Sequence, residues 1–339
     1  MSVLTVALDA MGGDFGPSET VPAAAQALLL LPQINILLVG DQVQLVPLLE
    51  QYSLDTHPRL QLIHASQSVS MAERPVIALR NKTDSSMRVM LELVRSGQAQ
   101  ACVSGGNTGA LMVMAMRVIT MLPHLKRPAL CSSLPNLRGQ HTVMLDLGCN
   151  VNCTPEMLWQ FACMGDLVTK HVHAISAPQI ALLNVGEEVI KGSKLVQETA
   201  ELLAANDQFN YIGFLEGDQL ISGQADVIVC DGFTGNIALK TAEGIARFFY
   251  SQLKALNGSL LAENKPNSTD GIQTSLSVMH PDHYNGASLL GLNGIVIKSH
   301  GRADRRALSN AILHAVAEIE QQLPRRISER FIAEHTHER

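Results

Sequence analysis

Short runs of Val, Leu and Ile recur along the chain, and each is followed by a stretch whose apolar positions return every three to four residues. The runs predict strands near 3–8, 35–39, 60–64, 100–103, 142–147, 179–184 and 226–230. The periodic stretches predict helices near 18–31, 41–51, 83–96, 108–120, 155–171, 192–205, 234–255 and 303–322. A repeated strand–helix–strand order requires right-handed crossovers, and so an α/β fold with a largely parallel sheet. No repeat of fixed period and no low-complexity linker divides the chain, which reads as one large α/β domain over 1–330 and a C-terminal tail at 331–339. One segment departs from the pattern. From Ala255 to Met279, Asn, Ser, Gly, Pro and Thr crowd together, which predicts a polar, partly mobile excursion from the domain.

Two charge-free stretches, Thr20–Gly40 and Gly97–Met116, are long enough to be tested as membrane spans. Pro32, Gln33 and Asn35 break the first into helix, turn and strand. The second contains Ser104-Gly105-Gly106-Asn107-Thr108-Gly109, a loop whose amides lipid could not satisfy. Neither is read as a span.

Of the 339 residues 46% are hydrophobic and only 4% aromatic, so the core must come mainly from Ala, Val, Leu and Ile, which suits parallel strands between helices. With 25 Lys and Arg against 31 Asp and Glu the net charge is −6, and no positive field exists to hold a phosphate backbone. Nucleic acid is not an expected partner. Six cysteines, at 102, 131, 149, 153, 163 and 230, lie mostly in apolar runs without a disulfide framework, which predicts reduced thiols. Cys149 and Cys153 have the spacing of half a metal site, but no second Cys or His pair follows, so no metal is expected there. The chain opens directly on Val3-Leu4-Thr5-Val6-Ala7-Leu8 without a basic leader, and a cytoplasmic enzyme is the expectation.

In open parallel sheets ligands bind beyond the carboxyl ends of strands, so candidate chemistry is sought in the loops that follow strands. After the first strand comes Asp9-Ala10-Met11-Gly12-Gly13-Asp14-Phe15-Gly16-Pro17, where glycines can turn amides toward an anion at a helix start; the alternative is a tight turn capped by Ser18. The second loop holds Gly106, Asn107 and Thr108, of which Asn107 or Thr108 could instead cap the next helix. Neither carries G-x-G-x-x-G or a Walker lysine, so the pair suggests a small phosphate or polar ligand rather than a dinucleotide. The third, Asp231-Gly232-Phe233-Thr234-Gly235-Asn236, sets an acid at a strand tip and an amide at a helix start, with ligand donor and cap both open for Asn236. In the fourth, Lys298 and His300 stand at the end of the apolar run Gly294-Ile295-Val296-Ile297, where a strand would release them into a cleft.

At these loops the sequence closely resembles the bacterial acyl-carrier-protein:phosphate acyltransferase family, which makes acyl phosphate for phospholipid synthesis. The matching pieces are ALDAMGGDFGP at 7–17, SSMRVMLELV at 85–94, ACVSGGNTGAL at 101–111, LDLGCNV at 145–151, LLNVGEE with Lys191-Gly192, DGFTGNIALK at 231–240 and YNGASLLGLNGIVIKSHG at 284–301. They span almost the whole chain in order. The resemblance implies a Rossmann-like three-layer α/β/α fold related to phosphotransacetylases and isocitrate-type dehydrogenases. It also implies a homodimer and peripheral contact with the inner membrane or with a membrane glycerol-phosphate acyltransferase. Ala255–Met279 is polar where the family commonly carries apolar and basic amphipathic helices, which argues against attachment through that segment.

The implied reaction moves a fatty acyl group from an acyl-carrier-protein thioester to inorganic phosphate, without a cofactor. Phosphate can attack without a strong base and a thiolate leaves readily, so the protein must mainly hold a dianion beside the carbonyl and stabilise the oxyanion. On this reading Asp9, Gly12, Gly13, Asp14, Gly106, Asn107, Thr108, Asp231 and Lys298 bind phosphate and substrate. Asn236 donates to the carbonyl oxygen, Lys191 supplies charge, and His300 orients phosphate or protonates the leaving sulfur. Lys191 could equally be a solvated lysine at a helix start. The alternatives are an NAD-dependent decarboxylating dehydrogenase, which would use clustered aspartates such as Asp226 and Asp231 for Mg²⁺, and a non-catalytic scaffold that binds acyl carrier protein.

Overall fold

A computed structural model describes residues 4–262 and 285–337. The chain begins with β1 (Leu4–Asp9), α1 (Pro17–Leu30), β2 (Ile34–Gly40), α2 (Gln42–Gln51), β3 (Leu60–His64), α3 (Pro75–Asn81), α4 (Ser86–Arg95), β4 (Ala101–Ser104) and α5 (Thr108–Val118). It continues through β5 (Ala129–Pro135), β6 (His141–Leu145), α6 (Pro155–His171), β7 (Gln179–Leu183), α7 (Lys194–Ala204), β8 (Asn210–Leu215), β9 (Val227–Val229) and α8 (Gly232–Ala262). The last described elements are β10 (Ala287–Leu290), β11 (Ile295–Lys298), α9 (Arg305–Glu320) and α10 (Leu323–His337).

These strands form one sheet in the order β3-β2-β1-β4-β11-β10-β5-β6-β9-β7-β8. The sheet is parallel in two blocks. Antiparallel pairings of β10 with β11, β5 with β10 and β6 with β5 reverse the direction between them. One line of paired residues crosses the sheet from Leu8 through Val103, Ile297, Ser288, Cys131 and Leu145 to Val229. Strands β1, β4 and β11 end just beyond this line from one direction, and β6 and β9 end on it from the other. The stagger across the antiparallel seam therefore brings the carboxyl ends of both blocks together.

Side chains alternate across the sheet, and the alternation builds three layers. Ala7, Cys102, Met144 and Ile228 share one continuous core with Met90 and Leu91 of α4 and Leu111 and Met114 of α5. On the opposite face Val6, Leu8 and Val103 pack under α1, α2 and α9, whereas Val143, Leu145 and Val229 pack under α6 and α10. This is the expected three-layer α/β/α fold.

The sequence pattern passes over β5, β8, β10, α3 and α10. Strand β5 ends in Ser-Ser-Leu-Pro, and β8 carries Gly213 at φ +96° where the β7–β8 register shifts, so neither keeps a clean apolar run. Helix α3 has only 7 residues, too few to show a period. Helix α8 extends past 255 to Ala262, so the polar segment begins within a helix; 263–279 lies outside the described residues. The boundary placed at 330 falls inside α10, where fully buried Phe331 packs edge-on to Trp159 with ring centroids 6.2 Å apart. No helix among the described residues is long and apolar enough to cross a membrane.

Candidate active site

Three loops interlock at the carboxyl ends of β1, β4 and β11. Ser104 Oγ donates to Asp9 Oδ2 at 2.6 Å and in turn accepts the Gly106 N–H at 3.0 Å. Asp14 N–H donates to the Gly301 carbonyl at 2.7 Å. A Cβ at Gly12 would lie 2.6 Å from Asp9 Oδ2 and 2.9 Å from the Gly106 nitrogen, so only glycine lets these loops touch. Burial pushes the Asp9 carboxyl up from its ordinary range, against hydrogen bonds from Ser104, Ser86 and the amides of Met11 and Gly12. The amides of Gly12 and Gly106 are thus spent inside the loops. Those of Gly13 and Thr108 make no hydrogen bond among the described residues and are available to an anion.

Asn107 departs from its expected role as a phosphate ligand. Its Oδ1 caps α5 by accepting the Ala110 N–H at 3.0 Å, and its Nδ2 donates to the carbonyls of Met71 at 2.8 Å and Glu73 at 3.0 Å. The side chain ties the segment before α3 to the start of α5 and has no free donor. Nor is Ser18 a cap: Gly16 precedes α1, Pro17 opens it, and Ser18 Oγ donates to the Phe15 carbonyl.

Lys298 ends β11 with only 8% of its surface exposed. Its ammonium donates to the carbonyls of Gly105 and Ser299. Burial lowers its pKa from 10.5 to about 8; the nearby Lys240 charge adds to that effect, and Asp9 and Asp14 oppose it. His300, two residues on, lines a shallow surface depression together with Gly12, Gly13, Phe15, Gly105 and Gly301. From α8, Lys240 Nζ lies 3.0 Å and Glu243 Oε2 3.3 Å from His300 Nε2.

The second block contributes a matching loop. Asp146, fully buried just beyond β6, accepts the amides of Leu130, Gly148 and Cys149 on Oδ1, and the Asn150 amide and Nδ2 on Oδ2, all at 2.7–3.2 Å. Burial pushes this carboxyl up despite those bonds. Helix α8 starts against the loop, since a Cβ at Gly232 would lie 2.9 Å from the Asn150 backbone and one at Gly235 would strike the Asp146 carbonyl. Asp231 caps α8, with Oδ1 accepting the amides of Phe233 and Thr234 at 2.9 Å. Asn236 is therefore not the cap: it sits inside the first turns, exposed, beside Gly148, and its side chain makes no hydrogen bond among the described residues. Its amide is free to donate.

Asn236, Lys240 and Glu243 lie on one face of α8 at helical spacing, and this face links the Gly148 loop of one block to His300 of the other. The structure thus gathers Asp9, Gly12, Gly13, Asp14, Gly106, Thr108, Lys298 and His300, with Asn236 joined to them through α8. Lys191 stands apart, exposed in the loop after β7, its ammonium 2.7 Å from Glu188 Oε2, and that pairing raises its pKa. Cys149 and Cys230 are buried near Asp146, and burial pushes both thiols well above their ordinary value. Sequence reasoning did not assign Asp146, Lys240 or Glu243. The first lay unread in LDLGCNV, and the other two follow Asn236 at the intervals of one helical face.

A family model described as "Fatty acid synthesis protein" matches residues 4–326. The chain is 88% identical over 339 residues to a phosphate acyltransferase of Tolumonas auensis, with all of both chains covered. It is 56% identical to one of Aeromonas salmonicida, over 98% of this chain and 97% of that one. Among solved structures it is similar to a phosphotransacetylase of Streptococcus pyogenes, with a TM-score of 0.64 and 16% identity over 93% of each chain, a likeness of fold. With a match that runs from the first strand into the last helix, the chain belongs to the fatty acid synthesis protein family.

Proposed function

We infer that this chain is an acyltransferase that moves a fatty acyl group from an acyl-carrier-protein thioester to inorganic phosphate, giving acyl phosphate for phospholipid synthesis. The observation that carries the inference is the α8 face, which places an unpaired amide, Asn236, on the same surface that reaches His300 and the charge around Lys298. Two different demands are met by groups that α8 links. The Lys298 ammonium and the free amides of Gly13 and Thr108 hold the phosphate. The Asn236 amide donates to the thioester oxygen as negative charge develops on it.

Hydrogen phosphate attacks the acyl carbon through an ionised oxygen, the carbon–sulfur bond breaks, and the phosphate proton passes to sulfur. On this reading His300 carries that proton. Asp9 and Asp146 hold the loops, and Asp231 holds the start of α8. The dehydrogenase alternative is disfavoured because Asp231 is committed to its cap and Asp226 Oδ2 accepts the Gln179 amide at 2.8 Å, which leaves neither as a ready ligand. Lys191, exposed and on a separate loop, assists by charge alone.

The same proposal includes a homodimer in the cytoplasm and peripheral contact with the inner membrane or its glycerol-phosphate acyltransferase. Six free cysteines support a reducing compartment, and the exposed Ile245, Phe248 and Phe249 on α8 support an apolar contact surface next to the site.

Incubation with acyl-carrier-protein thioester and phosphate tests the reaction. Thiol release should require phosphate, should match acyl phosphate captured as hydroxamate, and should need no NAD⁺, ATP or added metal. Release at full rate without phosphate, or a strict need for Mg²⁺ and NAD⁺, would overturn it; binding of the carrier protein without release would support the scaffold instead.

A further inference from the structure

His300 Nε2 has two neighbours on α8 that make opposite demands. The Lys240 ammonium, 3.0 Å away, only donates, and it can bond Nε2 only when that atom bears a lone pair. The Glu243 carboxylate, 3.3 Å away, only accepts, and it requires the proton to be on Nε2. Glu243 also takes the Lys240 charge on both oxygens, at 3.1 and 3.0 Å, and has Arg247 Nη1 at 3.5 Å. Lys240 is therefore satisfied without the imidazole. Glu243 is the least exposed of the three, its side chain 16% exposed against nearly half for Lys240 and His300, so it is the member best held in place. Although burial opposes its charge, hydrogen bonds from His300 and Lys240 hold its pKa down at about 2, and it stays ionised. The other charged groups around the ring are Lys298 and Arg302 on its own segment, Asp14, which has Arg302 Nε at 3.5 Å, and Glu19 of α1. His300 N–H donates to Asn285 Oδ1 at 2.8 Å, which fixes the backbone, and Nδ1 makes no hydrogen bond among the described residues.

We propose that Glu243 is a positioning residue for acyl transfer: it takes the Nε2 proton of His300, so that Nδ1 is the ring atom presented to the reacting groups. The proposal rests on the acyltransferase reading above. Nδ1 receives the proton of hydrogen phosphate as the new carbon–oxygen bond forms, and returns it to sulfur as the carbon–sulfur bond breaks. The ring ends as it began, and a dianion plus a thioester become an acyl phosphate dianion plus a thiol, with protons and charge conserved. Without Glu243, Lys240 captures the Nε2 lone pair. The ring proton then sits on Nδ1, the wrong tautomer for this task.

Nitrogen-15 NMR of the His300 ring in the full chain reads the tautomer directly, and does so without a variant. The neutral wild-type ring should carry its proton on Nε2, and Glu243→Gln should move it to Nδ1. Glu243→Gln should also lower kcat by about 10²-fold with KM for phosphate changed less than about threefold, and Glu243→Asp should restore part of the loss. Paired with His300→Gln, the substitution should cost nothing more than His300→Gln alone. A wild-type ring with its neutral proton on Nδ1, or additive losses in the double variant, would overturn the role of Glu243 while leaving phosphate-dependent thiol release intact. Loss of phosphate dependence in the wild type would instead overturn the acyltransferase reading on which it stands.

Discussion

The two blocks of the sheet use the same device and load it differently. Asp9 and Asp146 each stand one residue beyond the line of paired residues that crosses the sheet, each is buried, and each holds loop groups on its carboxylate. A glycine presses against each carboxylate, Gly12 on Asp9 and Gly232 on Asp146. Around Asp9, however, the first block adds the buried charge of Lys298. Around Asp146 the second block adds neutral groups, and Arg127 Nε donates to Asn150 Oδ1 at 2.9 Å rather than to the carboxylate. On the reading proposed above, one side serves an anion and the other a carbonyl that becomes charged only during reaction. That division is what acyl transfer to phosphate needs, because uniform positive charge on both sides would hold the anion without favouring the transition state.

The largest test of this contrast removes the charge. Lys298→Met keeps an unbranched apolar side chain in a nearly closed space and should lower kcat/KM for phosphate by about 10³-fold. It should also stabilise the fold. The pKa of Lys298 in the folded chain, about 8, is below its ordinary 10.5, so burying the charged form costs on the order of 3 kcal/mol at neutral pH. That penalty is complete below pH 8 and fades as pH rises toward 10.5. The melting temperature of Lys298→Met should accordingly exceed that of the parent at pH 7, with the gap closing near pH 10. In the parent, KM for phosphate should climb as Lys298 loses its proton above about pH 8. An unchanged KM across that range would show that the anion is held elsewhere.

On the neutral side the sharper variant is Asn236→Asp. Because Asp231 already caps α8, this substitution leaves the cap untouched and exchanges a free amide donor for a carboxylate. The melting temperature should stay near that of the parent, and kcat should fall on the order of 10²-fold with a smaller change in KM. Turnover within a few-fold of the parent would move the oxyanion contact off Asn236, most directly onto the Gly148 loop it touches.

How far the sequence could take this depends on what each feature requires. Strands such as β4 and β11, buried on both faces, announce themselves as apolar runs, and the glycine loops follow them in plain view. The antiparallel seam does not, because β5 and β10 are short and interrupted, and nothing local records that they reverse the sheet. Lys298 and His300 were legible as polar residues at a strand end. The assignment of Asn107 was not, since the Met71 and Glu73 carbonyls it bonds lie more than thirty residues away. Asp146 was hidden for a related reason: four of the groups it holds are its own neighbours, but the burial that makes it matter comes from distant chain.

Lys191 gives the smallest effect and sharpens the comparison most cheaply, because it is a second lysine after a strand of the second block, where Lys298 follows one of the first. The two could hardly be held more differently. Lys298 is enclosed with its charge opposed by burial, whereas Lys191 is exposed and its charge is favoured by a hydrogen bond to Glu188. An exposed ion pair contributes little to stability, and it is screened by salt. Lys191→Met should therefore leave the melting temperature unchanged and reduce kcat/KM by less than about tenfold, with the loss shrinking as ionic strength rises. Lys298→Met should show no such salt dependence, since its charge acts inside the protein. If Lys191→Met instead abolished turnover at every salt concentration, the loop after β7 would have to close onto the phosphate during catalysis. The second block would then carry a charge of its own, and the division between an anion side and a neutral side would fail.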